Sequence, residues 1–305
     1  PRQDGPTIDG PRPDLPPVDH GADKSPPAPD LGPDTTPDQT VPLDFGPCPS
    51  VCDRCVGGYC EITCPQNGDC VCPPGIPCRP FCGIAGCKDR VDCSQATDCD
   101  INCADGGWDA CHGDVLCGTG SCKVRCGANS CRKKVDCSRS TSCDVDCTSI
   151  TGRGCQGDIA CGSGTCKVRC GIDSCRGKID GSSATDCDFL CAGTAQWDAC
   201  HGDISCGSGS CKVACGINSC RKKITASSST TVTVNCETNA CHGDIACGSG
   251  QCTVDCLRAG ACRSAINCQS SCGCAVSCLP NTTCQQNRSC PAKCGGCSPL
   301  DFCVC

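Results

Sequence analysis

The stretch from Cys111 to Cys147 writes one pattern twice, and that repetition constrains the chain more than any other feature. Each half places a cysteine, a valine four residues on, a cysteine two beyond that, a short turn, and then Cys-x-Val-x-Cys. The first half is Cys111, Val115, Cys117, Cys122, Val124 and Cys126; the second is Cys131, Val135, Cys137, Cys143, Val145 and Cys147. The next copy opens on Cys155, Cys161, Cys166 and Cys170. A period of about 20 residues is the signature of a solenoid.

In an extended strand, residues two and four apart share a face. Cys122, Val124 and Cys126 therefore point inward while Lys123 and Arg125 point outward; in the second half Asp144 and Asp146 are the outward pair. Two cysteines four apart along a strand are separated by roughly 13 Å, beyond the ~7 Å between Cα atoms that a disulfide tolerates. Adjacent solenoid coils lie about 4.8 Å apart, within that limit. The expectation is an all-β, disulfide-stapled solenoid whose coils are linked to one another or across a narrow core.

The chain has 49 cysteines in 305 residues, all at or after Cys48. That is far above the level that marks a disulfide scaffold, and such a scaffold belongs to an oxidising compartment, secreted or at a cell surface. A thiolate metal store of metallothionein type is the alternative, but it packs cysteines in dense runs without regular valines between them. With four Phe, one Tyr, two Trp and no Met, an ordinary core is out of reach, so disulfides must replace it. The odd cysteine count leaves one thiol over, free or paired with another molecule. No run of 18 apolar residues is present, so no membrane-spanning helix is expected. The start at Pro1 rather than Met leads us to expect a processed protein.

Four segments follow in order. Residues 1–47 form an acidic Pro-rich tail with 13 prolines, nine aspartates and no cysteine. Its three basic and nine acidic side chains give −6, leaving −1 of the total −7 to the rest. Such a segment favours extended polyproline II and serves as a spacer or as a strap on a neighbouring subunit, with Asp14, Asp30, Asp34 and Asp38 in its Pro-Asp steps. Residues 48–77 form a Cys-rich N-terminal cap; Cys48, Cys52 and Cys55 resemble a zinc half-site, but no matching half follows, which favours disulfides. Residues 78–278 are the solenoid array, in which coils of about 20 residues pair into repeats of about 44, with coil starts at Cys87, Cys111, Cys131, Cys155, Cys175, Cys200, Cys220, Cys241 and Cys262. At ~4.8 Å per coil this array is roughly 45 to 50 Å long. Residues 279–305 form a Cys-rich C-terminal cap carrying the glycosylation sequons at Asn281 and Asn287.

Departures from the pattern keep its logic. The place of Cys137 is taken by Gly181 and then Ala226, and that of Cys143 by Val232, all small or apolar as an inward position requires. The recurrent Cys-His-Gly-Asp element carries His112, His201 and His242, with Gln156 in the remaining copy. Histidines two coils apart are about 10 Å distant, too far to share an ion, so no metal site is expected. Asp114, Asp158, Asp203 and Asp244 sit in all four Gly-Asp pairs and read as turn formers bonded to nearby backbone. Lys123, Arg125, Lys167 and Arg169 on one strand type, with Arg132 and Lys134 beyond the next turn, are expected to stack into a basic ridge. Without aromatic interleaving, and with a negative total charge, that ridge does not point to nucleic acid; the acidic tail is its natural partner. Insertions before the Cys-His-Gly-Asp copies carry Trp108 and Trp197, expected to be partly exposed and so candidate interface residues.

No nucleophile elbow, phosphate loop or HExxH motif is present, and Asp144, Asp146 and Asp188 only loosely imitate a polysaccharide hydrolase groove. The chain is not expected to be an enzyme or to hold a cofactor. The repeats CxVxC and CxGDIxCGSGxC (Cys155 to Cys166, Cys200 to Cys211, Cys241 to Cys252) behind a Pro/Asp-rich leader resemble Cys-rich repeat proteins of bacterial cell surfaces. In design the chain also resembles insect antifreeze solenoids, although Thr231-Val-Thr233 is the one Thr-x-Thr step. The resemblance implies a surface-located solenoid. The expected role is an extracellular structural subunit that self-associates through tail and solenoid surface into a fibre, sheath or surface layer. The alternative is a monomeric adhesin or stalk with a carbohydrate or other surface ligand.

Overall fold

A computed structural model of the chain describes residues 47–83, 86–104, 109–148, 152–280, 284 and 288–290. The tail with Asp14, Asp30, Asp34 and Asp38, Trp108, the sequon asparagines Asn281 and Asn287 and most of the C-terminal cap lie outside the described residues.

Every described coil contributes one long and one short strand. The long strands, from Tyr59–Thr63 through Ser121–Cys126 and Ser142–Cys147 to Gly273–Cys278, stack in sequence order into a parallel sheet, and Arg54–Val56 closes its first edge antiparallel to Tyr59–Thr63. The short strands, from Cys70–Val71 to Arg288–Ser289, form a second parallel sheet. Pairing is in register, so Cys143 lies beside Cys122 and Cys166, and Val145 beside Val124 and Val168. A fixed register follows from having one face buried, since a slip of one residue would turn the whole cysteine and valine set outward.

The narrow core is built one rung per coil. Val115 of the short strand, then Cys117, Cys122, Val124 and Cys126 of the same coil, are all almost inaccessible to solvent. Disulfides close both corners of that rung, Cys117–Cys122 and Cys126–Cys131. Both bonds close corners between residues near in sequence; of the two staple geometries expected, a link between stacked counterparts of adjacent coils does not occur at these positions. The physical reason is the corner itself, which brings Cα atoms five residues apart to 5.8 Å and 5.9 Å. Loops this short give about 2 kcal/mol each in the chain-entropy picture, less than a bond closing a whole coil would.

The second corner explains why the coil starts are cysteines. Cys87, Cys111, Cys131, Cys155, Cys175, Cys200, Cys220, Cys241 and Cys262 all have positive φ, between 46° and 54°. A left-handed conformation costs a non-glycine residue on the order of 1 kcal/mol or more. Each of these residues is bonded to the last cysteine of the preceding long strand, as in Cys103–Cys111, Cys147–Cys155 and Cys170–Cys175. The covalent bond holds the reversal that a glycine would otherwise supply.

At the other corner every second coil carries glycine, for a different reason. A Cβ on Gly162 would stand 1.7 Å from the Ser140 carbonyl oxygen of the previous coil. Along the same edge, the buried Ser140 hydroxyl donates to the Gly118 carbonyl at 2.8 Å, and Ser229 and Ser271 repeat the contact on Gly207 and Gly248. The irregular coil is repacked: where Gly181 stands in the cysteine column, the fully buried Phe189 replaces the usual valine, and a Cβ at Gly181 would meet its ring at 2.9 Å. Cys187, deprived of a partner, is an unbonded buried thiol.

Two outcomes follow for stability. Gly162→Ala should cost about 1–3 kcal/mol by overpacking, read as a lower guanidinium midpoint, whereas Gly83→Ala, where a Cβ meets nothing within 4 Å, should leave the midpoint unchanged. The double change Gly181→Cys with Phe189→Val should rebuild the regular inward set and lower the guanidinium midpoint less than Phe189→Val alone; equal losses would contradict the compensation described.

Candidate interaction surfaces

The outward side chains of the long-strand sheet correct the expectation of a basic ridge. Glu61, Arg79, Asp100, Lys123, Asp144, Lys167, Asp188 and Lys212 occupy one column, each in register with the next. Charge alternates at every step. The basic residues belong to alternate coils, and the intervening coil of each 44-residue repeat supplies an acid. Arg125 bonds Asp100 at 2.9 Å and Arg169 bonds Asp144 at 2.8 Å, so the arginines reach diagonally into the same column. At the N-terminal end Arg79 bridges Glu61 (3.1 Å) and Asp100 (3.3 Å) and lies over the Tyr59 ring at 4.5 Å. Like charges about 4.8 Å apart on adjacent strands would repel, whereas alternation makes each rung mildly favourable.

Beyond the turn the same rule holds. Arg132 bonds Asp109 (2.7 Å) and Lys134 bonds Asp136 (2.6 Å). The Gly-Asp carboxylates act on backbone, one coil further on than a local turn would place them. Asp114, Asp158, Asp203 and Asp244 accept from the N–H groups of Lys134, Lys178, Lys223 and Ala265 at 3.1, 2.8, 3.1 and 3.1 Å. The bonds from the Ser264 side chain and the Ala265 N–H hold the Asp244 carboxyl below its ordinary range. These are links between coils made without covalent bonds.

The histidines do not gather. The backbone N–H of His201 stacks on Cys175 and that of Arg221 on Cys200, so an arginine rung separates His201 from His242, whose N–H in turn stacks on Cys220. His112 lies 3.4 Å from Asp109, and His201 lies 2.9 Å from Asp198 and 3.8 Å from Asp173. Asp173, almost buried, accepts from Nε and Nη2 of Arg176 and from Arg153 at 3.3 Å. This corner is an ion-pair lattice that cross-links coils. Trp197 stands beside it, 53% exposed, on a loop pinned by Asn218 to the carbonyls of Thr194 and Ala195. Its ring is held out to solvent.

Two of the three acids that imitate a hydrolase groove are engaged elsewhere, and Asp188 makes no ion pair among the described residues. Asp144 holds Arg169, and Asp146 accepts from the N–H and hydroxyl of Thr148 at 3.0 and 2.6 Å.

The cysteines set down as disulfide positions divide. Cys111, Cys117, Cys122, Cys126, Cys131, Cys147, Cys155, Cys161, Cys166 and Cys170 are bonded, whereas Cys137 and Cys143 are free thiols facing each other, as are Cys93 and Cys99. Their sulfurs continue the disulfide columns: Cys93 Sγ lies 3.2 Å from Cys72 Sγ, and Cys137 Sγ 3.4 Å from Cys117 Sγ. Six residues separate each free pair, as in the bonded Cys72–Cys78 and Cys268–Cys274, so spacing does not explain the difference. Contact with the partner thiol, then burial, pushes Cys93 and Cys137 well above the usual thiol range, and burial raises Cys187. All five free thiols among the described residues are buried, so none is placed to bond another molecule. Cys48, Cys52 and Cys55 are committed to the disulfides Cys48–Cys55 and Cys52–Cys60 rather than to zinc.

No protein-family model, curated protein or solved structure matches the chain. Among the described residues no helix is long and apolar enough to cross a membrane.

The thiol assignment predicts a labelling pattern. Cys93, Cys99, Cys137, Cys143 and Cys187 should resist iodoacetamide in the native protein at neutral pH and react after denaturation without reductant, as peptide mass spectrometry would show. Asp114→Ala should leave the fold intact while amide exchange at Lys134 rises about tenfold, the loss of one modest hydrogen bond. Unchanged exchange would remove that bond from the set that joins coils.

Proposed function

We propose that the protein is a non-catalytic extracellular structural subunit that assembles with copies of itself into a fibre, sheath or surface layer. The observation that carries this reading is where its chemistry is spent. Most of the repeated cysteines, together with the Gly-Asp aspartates and the buried serines, close corners or join coils, so these recurrent groups serve the scaffold. What the repeat offers outward is a long, regular sheet face with alternating charge and the exposed Trp197. The many short disulfides suit an oxidising compartment, and the Pro/Asp-rich tail has the composition of a spacer or strap outside such a body.

A monomeric adhesin is the second reading, and it rests on Trp197. An exposed ring on a pinned loop is suited to stacking on a sugar or docking into a partner.

Electron microscopy of the protein as isolated, without reductant, separates the two. Ordered filaments, tubes or sheets with an axial repeat commensurate with the coil stack are expected. Single particles at every concentration, together with glycan binding that Trp197→Ala abolishes, would replace the assembly reading with the adhesin.

A further inference from the structure

We propose that the outer face of the long-strand sheet is a self-complementary contact on which a second copy of this chain docks face to face and antiparallel. The inference rests on the assembly reading and names the contact by which copies meet.

The alternating column has nine charged rungs, from Arg54 to Lys212, and continues past them with Thr233, Thr253 and Ala275. Consider a two-fold axis parallel to the strands, lying between Ser121–Cys126 and Ser142–Cys147 in the plane of contact. It reverses the order of rungs while keeping strand direction, so each residue faces its mirror position counted from the other end. Lys123 of one copy then faces Asp144 of the other, Asp100 faces Lys167 and Arg79 faces Asp188, while opposite Lys212 stands Glu61, buried and already paired to Arg54 and Arg79. Every pair is of opposite sign. Placing the axis between two neighbouring rungs of an alternating column makes this automatic.

The second outward column agrees independently. The same axis sets Arg125 against Asp146 and Asn102 against Arg169. It also sets Phe81 against Leu190, which is 42% exposed and the bulkiest apolar side chain on this face among Asn102, Arg125, Asp146, Arg169 and Ala214. Moving the axis by one coil keeps opposite charges in the first column but puts Arg125 on Leu190 in one direction and Phe81 on Asp146 in the other. An axis along the coil stack fails outright, because it sets Lys123 on Arg125 and Asp144 on Asp146. The charge pattern thus rejects the parallel arrangement, as specificity by repulsion requires, and the second column favours this axis among those that the first column admits.

The rungs also have capacity to spare. Among the described residues, Lys123, Lys167, Asp188 and Lys212 make no ion pair, whereas the arginines are engaged. Facing sheets about 10 Å apart can be bridged by such side chains. Eight strands at ~4.8 Å, each about 17–20 Å long, give roughly 700 Å² per copy, about 1,400 Å² in all, within the range of specific interfaces. A contact of that size made mostly of charges should be salt-sensitive.

Sedimentation velocity on the full chain tests this, with wild type, Lys123→Asp, Asp144→Lys and an equimolar mixture of the two variants. In about 20 mM salt the wild type should dimerise, and about 500 mM salt should dissociate it. Each variant alone places like charges at both central pairs and should associate at least tenfold more weakly. The mixture should recover the dimer. In it the lysine introduced at position 144 of one variant meets the aspartate introduced at position 123 of the other, and the native Lys123 of the first meets the native Asp144 of the second. This recovery cannot come from a misfolded chain. A wild type monomeric in low salt, variants that dimerise normally, or a mixture that stays monomeric would each overturn the proposal. Filaments that persist with either variant would overturn this contact and leave the assembly reading standing. A dimer with these properties but no higher assembly would do the reverse.

Discussion

The backbone hydrogen bonds between coils set the terms for everything else. Because they hold successive coils about 4.8 Å apart in strict register, each side chain sits directly above its counterpart, and any residue type that repeats must be able to stack on itself. Cysteine pairs, aliphatic residues, serine hydroxyls on glycine carbonyls and aspartates on backbone N–H groups all meet that condition. Bare charges do not. The 44-residue period is the solution: it doubles the coil so that Asp100, Lys123, Asp144 and Lys167 alternate where a single repeated coil would stack like on like.

Disulfides take the place of a hydrophobic core, but they do so one coil at a time. Bonds such as Cys117–Cys122 and Cys126–Cys131 shape corners, fixing a left-handed reversal at each coil start. The stack itself is held by hydrogen bonds, by the Gly-Asp carboxylates and by ion pairs such as Arg153 on Asp173. Covalent and non-covalent forces are therefore divided by direction, the first within the coil and the second along the stack.

Much of this was legible in the residues. The two-residue alternation placed the inward positions correctly, including Ala226 and Val232, which are almost wholly buried, and the coil starts read from spacing are the residues with positive φ. The direction of the disulfides was not legible, because a strand pattern says which face a cysteine takes and not which corner lies nearest. The basic ridge was misread by following the CKVRC strands alone; aligning Asp100, Asp144 and Asp188 between them would have exposed the alternation. The exchange of Gly181 for Phe189 volume also needed three dimensions, since the two positions lie on different sides of one coil. Why the pairs Cys93 with Cys99 and Cys137 with Cys143 remain open has no account in spacing or burial.

Confining covalent closure to single corners bears on how such a chain changes length over generations. A cut between one regular corner and the next severs no disulfide, so duplicating or deleting a two-coil unit within the gene strands no cysteine and breaks no charge alternation. An odd number of coils would do otherwise, bringing acid onto acid at the splice. Length in a lineage of such proteins should therefore vary in steps of about 9.6 Å, two coil spacings, and the outer face would keep its self-matching pattern after every step.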